Sequence, residues 1–492
     1  MKSILLAAAA LFLAAPALAA EPPKKEEAAK SDLDLPPMAP DKTIKQTARI
    51  GGATVGYEAT VGHIDVRDEK GKVIGQVVYT AYTIPGRANR PVTFAFNGGP
   101  GAASVYLNLG ALGPKRVQFG GQGDAPSDSA VAVDNPYSWL DFTDLVFIDP
   151  IGTGFSRSLV DMDATKKAFW GPEQDIKYLS RVVYDWLQKE GRMTAKKYVV
   201  GESYGGYRAP RLAFALQHDI GVGVNGVVMV SPYLDPAATG DSTAMSPMPW
   251  VITLPSMAAA YLERQGKLSA EAMRPVEQYA RTEYATDILA GRSDPQATAR
   301  MVQKVTAFTG LDPALVQRME GKVDSWTFTR EVHRREGKIG SWYDTNVTGY
   351  DPFPAAAQRN SDDPILEALK ATTTSAMVDF VTRQVGWKTV DHYEPLSETV
   401  NRNWDRDGMD DKPVTDLRKA IANDPKMGVL IVHGWDDLSC PYFASKLIAD
   451  QMPSFGKAEP VALRVYPGGH MFYSRAESAD AFKRDARAMY GL

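Results

Sequence analysis

The chain has 492 residues, 44% of them apolar and 23% charged, an ordinary balance for a globular protein. That length exceeds a typical single domain and predicts a large core carrying an insertion. A net charge of −4 with no Lys/Arg run gives no basis for a nucleic-acid partner, and a single cysteine, Cys440, excludes an intramolecular disulfide.

Residues 1–20 read as a secretory signal peptide: Lys2 supplies a positive start, Ile4 to Ala15 an apolar stretch, and Ala17-Leu18-Ala19 a small-x-small cleavage pattern. The apolar stretch is too short to span a hydrocarbon core of about 30 Å, and no later segment is long and apolar enough, so no stable membrane insertion is expected after cleavage. A signal without disulfides suits the bacterial periplasm, which is the expected location. Residues 21–45, rich in Lys, Glu, Ala and Pro without an apolar period, are expected to form a disordered tether.

From Ala53 to Ile84 apolar and polar residues alternate around Asp68-Glu69-Lys70-Gly71, which predicts a hairpin. Short β-rich runs follow at Val92–Phe96, Leu145–Ile148, Tyr198–Val200, Val227–Val230, Val429–Val432 and Leu463–Val465. Continuous runs of this length suit strands buried on both faces. Between them Ile176, Leu179, Val183, Trp186 and Leu187 fall on one helical face. Alternating buried strands and helices predict an α/β fold with a mostly parallel sheet covered on both sides. The alternation fails between Pro236 and Leu396, so residues 236–395 are expected to be a largely helical cap inserted into one catalytic domain, 46–235 plus 396–492.

Gly201-Glu202-Ser203-Tyr204-Gly205 fits the G-x-S-x-G pattern of a nucleophile on a sharp strand-to-helix turn, with a strand before it and a helix-compatible run after it. A serine hydroxyl needs a base. Of the histidines, His63 lies in the hairpin, His218 in a helix, His333 and His392 in the insertion, and His433 at a strand end. His470, in the loop Tyr466-Pro467-Gly468-Gly469-His470, alone leaves room for an acid between nucleophile and base, the order this arrangement uses. Asp436 and Asp437, after the strand ending at His433, are the candidate acids. Asn97-Gly98-Gly99-Pro100-Gly101 could aim backbone N–H groups at a developing oxyanion, or be a plain turn. No dinucleotide or phosphate-binding pattern follows it, and no His/Cys/Asp set has metal-ligand spacing, so no cofactor and no metal are expected.

Taken together, these residues resemble the serine carboxypeptidase family, within the α/β-hydrolase superfamily, and suggest a bacterial member. The resemblance rests on Asn97-Gly-Gly-Pro-Gly101, Asn135-Pro-Tyr-Ser-Trp139 with Gly152-Thr-Gly-Phe-Ser156, Gly201-Glu-Ser-Tyr-Gly-Gly206, Gly434-Trp-Asp-Asp437 with Pro441, and Gly469-His470-Met471. It implies an α/β-hydrolase fold and peptide substrates, with Ser203 as nucleophile, Asp437 as acid, His470 as base, and the N–H groups of Gly99 and Tyr204 as oxyanion donors. It further implies that Asn97 and Glu202 bind the substrate's terminal carboxylate. A second glutamate that the family uses there falls at Ala111, and the family's cysteine after Gly101 is Ala102. Arg208 is a candidate substitute contact, or a surface residue. An esterase or acyltransferase with the same triad is the alternative activity, and a non-catalytic binding scaffold the remaining one.

Overall fold

A computed structural model of the chain describes residues 35–86, 89–236 and 245–492. The expected signal peptide, residues 1–20, and residues 21–34 of the expected tether lie outside the described residues. The core is a ten-stranded sheet. Its principal strands are β1 (Lys42–Ile50), β2 (Ala53–Arg67), β3 (Val73–Thr83), β4 (Val92–Phe96), β5 (Asp144–Ile148), β6 (Lys197–Glu202), β7 (Gly226–Val230), β8 (Gly428–Gly434) and β9 (Ala462–Tyr466). They run in the order β1-β2-β3-β5-β4-β6-β7-β8-β9, with Arg157–Ser158 pairing to β3 off this path.

The first three strands are antiparallel, β3 pairs antiparallel with β5, and from β5 to β9 every pairing is parallel. The inner parallel strands are buried along almost their whole length because both faces are covered, whereas the edge strand β9 carries Arg464 and is only partly buried. Ala95, Val200, Val228 and Val432 enter one core with Trp139 and Phe482. Their neighbours Phe94, Val199, Val227 and Ile431 enter the other with Leu179 and Trp186. Each such Val, Ile, Leu or Phe side chain is worth about 1.5–3 kcal/mol on burial. The helix Pro172–Lys189 covers the second face with the predicted stripe, Ile176, Leu179, Val183, Trp186 and Leu187, and proline at its first turn suits a helix start.

Two expectations change. The tether does not extend to residue 45. Asp41 accepts hydrogen bonds from Tyr79 and from the His63 backbone, and Lys42–Ile50 pairs along its whole length with β2. Only alternate residues, Ile44, Ala48 and Ile50, face inward, and the Lys, Thr and Arg between them gave the segment a disordered composition. The 236–395 insertion is largely helical, as expected, but divides between two cores. Met257, Tyr284 and Phe328 form a separate core with Leu438, Tyr442 and Phe443, beside the loop after β8. Leu369, Phe380 and Trp387 instead join the main core against Ala48 and Tyr82. No helix among the described residues is long and apolar enough to cross a membrane.

Candidate active site

Ser203 sits between β6 and the helix Tyr204–Ala215 with φ 59° and ψ −122°, a region a side chain other than glycine seldom adopts. The turn is held by Ser203 N–H donating to Val230 O (3.0 Å), while Ser203 O accepts from Gly206 (2.8 Å) and Tyr233 (3.1 Å). A Cβ on Gly201 would overlap the Gly205 carbonyl, and one on Gly98 the Tyr204 backbone nitrogen. The small residues of both motifs therefore let the Asn97–Gly101 loop lie directly against the elbow.

The loop after β8 presents Asp437. Its Oδ1 accepts from the backbone N–H groups of Ser439 (2.8 Å) and Cys440 (2.9 Å), which leaves Oδ2 aimed at His470 Nδ1, 2.8 Å away. Both side chains are buried. Burial alone lowers the affinity of His470 for a proton, but the Asp437 carboxylate outweighs it and raises the imidazole well above its ordinary range. Ser231 Oγ donates to the His470 carbonyl (2.8 Å) and the Tyr343 ring lies edge-on to the imidazole at 5.2 Å. Asp436 faces away. It accepts from Asn346 Nδ2 at 2.9 Å, and its oxygens converge with those of Glu263 and Asp344. Such a trio could hold a metal ion by geometry, yet Arg475 already donates to both Glu263 and Asp344 and offsets their charge. His433 is buried against Ser445 Oγ (2.8 Å), and burial pushes it down to about 3, so it stays neutral.

Asn97 and Glu202 meet. Asn97 Nδ2 donates to Glu202 Oε2 at 3.1 Å, and Asn97 Oδ1 accepts from the Leu107 N–H at 2.9 Å. Tyr473 OH, fully buried, donates to the same Glu202 oxygen at 2.8 Å. Burial drives the Glu202 carboxyl up to about 7, against the opposing pull of His470 and of these two hydrogen bonds. Ala111 is buried and brings no polar group. Arg208 is neither on the surface nor a substrate contact: it is buried, pairs with Asp175 (Nε–Oδ2 2.6 Å) and donates from Nη1 to Asn97 O at 2.8 Å. Its work is to brace the Asn97 loop from behind.

Asn97, Gly99, Glu202, Ser203, Tyr204 and His470 line one cavity of about 470 Å³. Ser203 and His470 share this space, and no hydrogen bond joins them among the described residues; such contacts commonly tighten only with substrate bound. The N–H groups of Gly99 and Tyr204 donate to no backbone carbonyl outside regular helix and strand pairing among the described residues. The remaining wall is mostly apolar, from Tyr106, Trp342, Tyr343, Leu366, Leu396 and Met409. Tyr473, Tyr343 and Arg406 were not singled out from sequence. Tyr473 lies three residues past His470, the only local signal available.

A sequence profile of the serine carboxypeptidase family matches residues 51–482. Among curated proteins, the chain is 27% identical over 204 residues to serine carboxypeptidase-like 36 of Arabidopsis thaliana, covering 40% of this chain and 39% of that one. It is 30% identical over 187 residues to the pheromone-processing carboxypeptidase KEX1 of Ogataea parapolymorpha, covering 37% of this chain and 26% of that one. The chain thus spans about two fifths or less of the length of these relatives. Among solved structures, a prohormone-processing carboxypeptidase of Saccharomyces cerevisiae superposes with a TM-score of 0.56 at 16% identity, over 88% of this chain and 91% of that one, which shows a shared fold.

Proposed function

This chain belongs to the serine carboxypeptidase family, and from that premise we propose that it removes C-terminal residues from peptides through an acyl-enzyme on Ser203. The observation that carries the proposal is the buried Asp437–His470 pair, which opens on the same cavity as a serine held at positive φ. In this reading Ser203 Oγ attacks the scissile carbonyl as His470 takes its proton. The N–H groups of Gly99 and Tyr204 stabilise the oxyanion, and Asp437 holds the imidazole tautomer and supports its protonated form. The tetrahedral adduct collapses, His470 returns the proton to the departing amine, and the C–N bond breaks. Water, deprotonated by His470, then attacks the acyl carbon and releases Ser203.

The Asn97–Glu202 pair supports exopeptidase recognition. A Glu202 carboxyl that keeps its proton near neutrality can donate to a substrate carboxylate instead of repelling it. Ala111, with no carboxyl to share that task, favours ester hydrolysis or acyl transfer as the second reading. We also propose export to the periplasm, supported by the signal-like pattern of residues 1–20. A fluorophosphonate should add one mass increment to the peptide carrying Ser203, and a peptide library should lose C-terminal residues with the wild type but not with Ser203→Ala. Labelling elsewhere, or full activity in Ser203→Ala, overturns the assignment. Equal turnover of a free-acid peptide and its amide overturns the exopeptidase reading and leaves the esterase one.

A further inference from the structure

We propose that Arg406, held by Asn401, forms a carboxylate-binding subsite at the catalytic cavity and selects substrates that carry a negative charge next to the scissile bond. The inference rests on the Ser203 cavity being the substrate site, and it adds a recognition element that none of the family motifs in the sequence contains.

Arg406 lines the cavity together with Ser203, Glu202 and His470, and it is the sole Lys or Arg among the described lining residues. Its side chain is exposed at the edge of the cavity but is tethered there. Its Nη1 donates to Asn401 O at 2.6 Å and its Nη2 to Asn401 Oδ1 at 2.9 Å. Asn401, on the short helix Glu398–Asn403, in turn donates from Nδ2 to Pro100 O at 2.9 Å, and Ser397 at the start of that helix donates its N–H to Gly101 O at 2.7 Å. The guanidinium is therefore fixed, through one intermediate residue, to the loop that carries Gly99. Among the described residues no carboxylate pairs with it, and its acceptors are both on Asn401. A guanidinium has further N–H groups beyond the two engaged here, in a planar fork that matches a carboxylate.

The surroundings decide what this cation is suited to. The rest of the lining is mostly apolar and aromatic, while Arg406 itself meets solvent, so a charge pair formed there is screened by salt and gains chiefly from the geometry of the guanidinium fork. Glu202, the one carboxylate among the described lining residues, is buried and already engaged by Asn97 and Tyr473. The cavity thus presents a guanidinium anchored to the oxyanion loop, with no carboxylate paired to it among the described residues. A carboxylate of the substrate fits this chemistry. It could come from the terminal carboxylate, which would give this chain a permanent cation where Ala111 supplies no acid, or from an Asp or Glu side chain flanking the scissile bond.

Binding calorimetry on Ser203→Ala protein tests this without relying on turnover, so failure of the acyl-enzyme reading would leave the test intact. Three ligands are compared: N-acetylphenylalanine, N-acetylphenylalaninamide, and the α-amide of N-acetylglutamate. With Arg406 intact, one or both acids should bind roughly tenfold or more tightly than the neutral amide, an advantage that shrinks with added salt. Arg406→Gln should abolish that advantage, Arg406→Lys should retain part of it, and melting temperatures should confirm that all variants are folded. An advantage confined to N-acetylphenylalanine identifies the terminal carboxylate as the ligand, and one confined to the glutamate derivative identifies the side chain. Equal affinity for acids and amide, or an acid advantage that survives in Arg406→Gln, overturns the proposal.

Discussion

Replacing Glu202 by Gln keeps the shape and the acceptor oxygen that Asn97 and Tyr473 address, and removes only the ability to ionise. In the folded chain burial lifts this carboxyl from 4.5 to about 7. Below pH 4.5 the group is neutral in both the folded and unfolded states. Between there and 7 the unfolded chain gives up its proton while the folded chain keeps it, so stability falls as pH rises and levels off above 7. The difference corresponds to about 3 kcal/mol. Wild type should therefore lose about 3 kcal/mol of unfolding free energy relative to Glu202→Gln between pH 4.5 and 8. Asp149, which burial also lifts to about 7, changes both proteins alike and drops out of the difference. Urea unfolding of both proteins across that range gives the measurement. On free-acid peptides the same substitution should flatten the decline of kcat/KM toward neutral pH, because no anion then forms beside the substrate carboxylate. A stability difference that stays constant with pH would refute the claim that Glu202 is held protonated by its surroundings.

Asp437→Asn should lower kcat by roughly 10⁴ by presenting the wrong partner to the imidazole, whereas Asp436→Asn, which faces Asn346 and not His470, should cost far less; steady-state kinetics on one peptide separates them, and the reverse ranking would mean the two aspartates have been confused. Arg208→Met strands the fully buried Asp175 carboxyl and should destabilise the chain by about 3–5 kcal/mol, read by denaturant unfolding; a neutral result would show that the pair does not brace the fold. A chain beginning at Gly51 loses β1 and should melt at lower temperature than one beginning at Leu35, since the Ile50 side chain alone is worth about 1.5–3 kcal/mol; equal melting temperatures would show that the strand adds nothing.

The inner parallel strands were legible because burial on both faces leaves little room for polar residues, and a run such as Val227–Val230 then has one reading. The strand Lys42–Ile50 was not, because only half its side chains turn inward and an edge exposes the rest. Ser203 was legible from its elbow, where neighbouring glycines are demanded by contacts only a few residues long. Asp437 could be separated from Asp436 only by motif register; in space the choice follows from which carboxylate the Ser439 and Cys440 N–H groups orient toward His470. Arg208 looked available from sequence, and only the packing of its helix against Asp175 removed it from the cavity.

The sequence by itself therefore determined the inner strands of the sheet and the small residues the elbow requires, since each depends on residues close together in the chain. Tertiary structure alone decided what surrounds them. Tyr473 reaches Glu202 across 271 residues and Asn401 reaches Pro100 across 301, and Tyr343 comes from the insertion to face His470. Contacts between segments so far apart leave no periodic trace in the chain, because each side chain's role is set by which surface its element buries and what arrives opposite it.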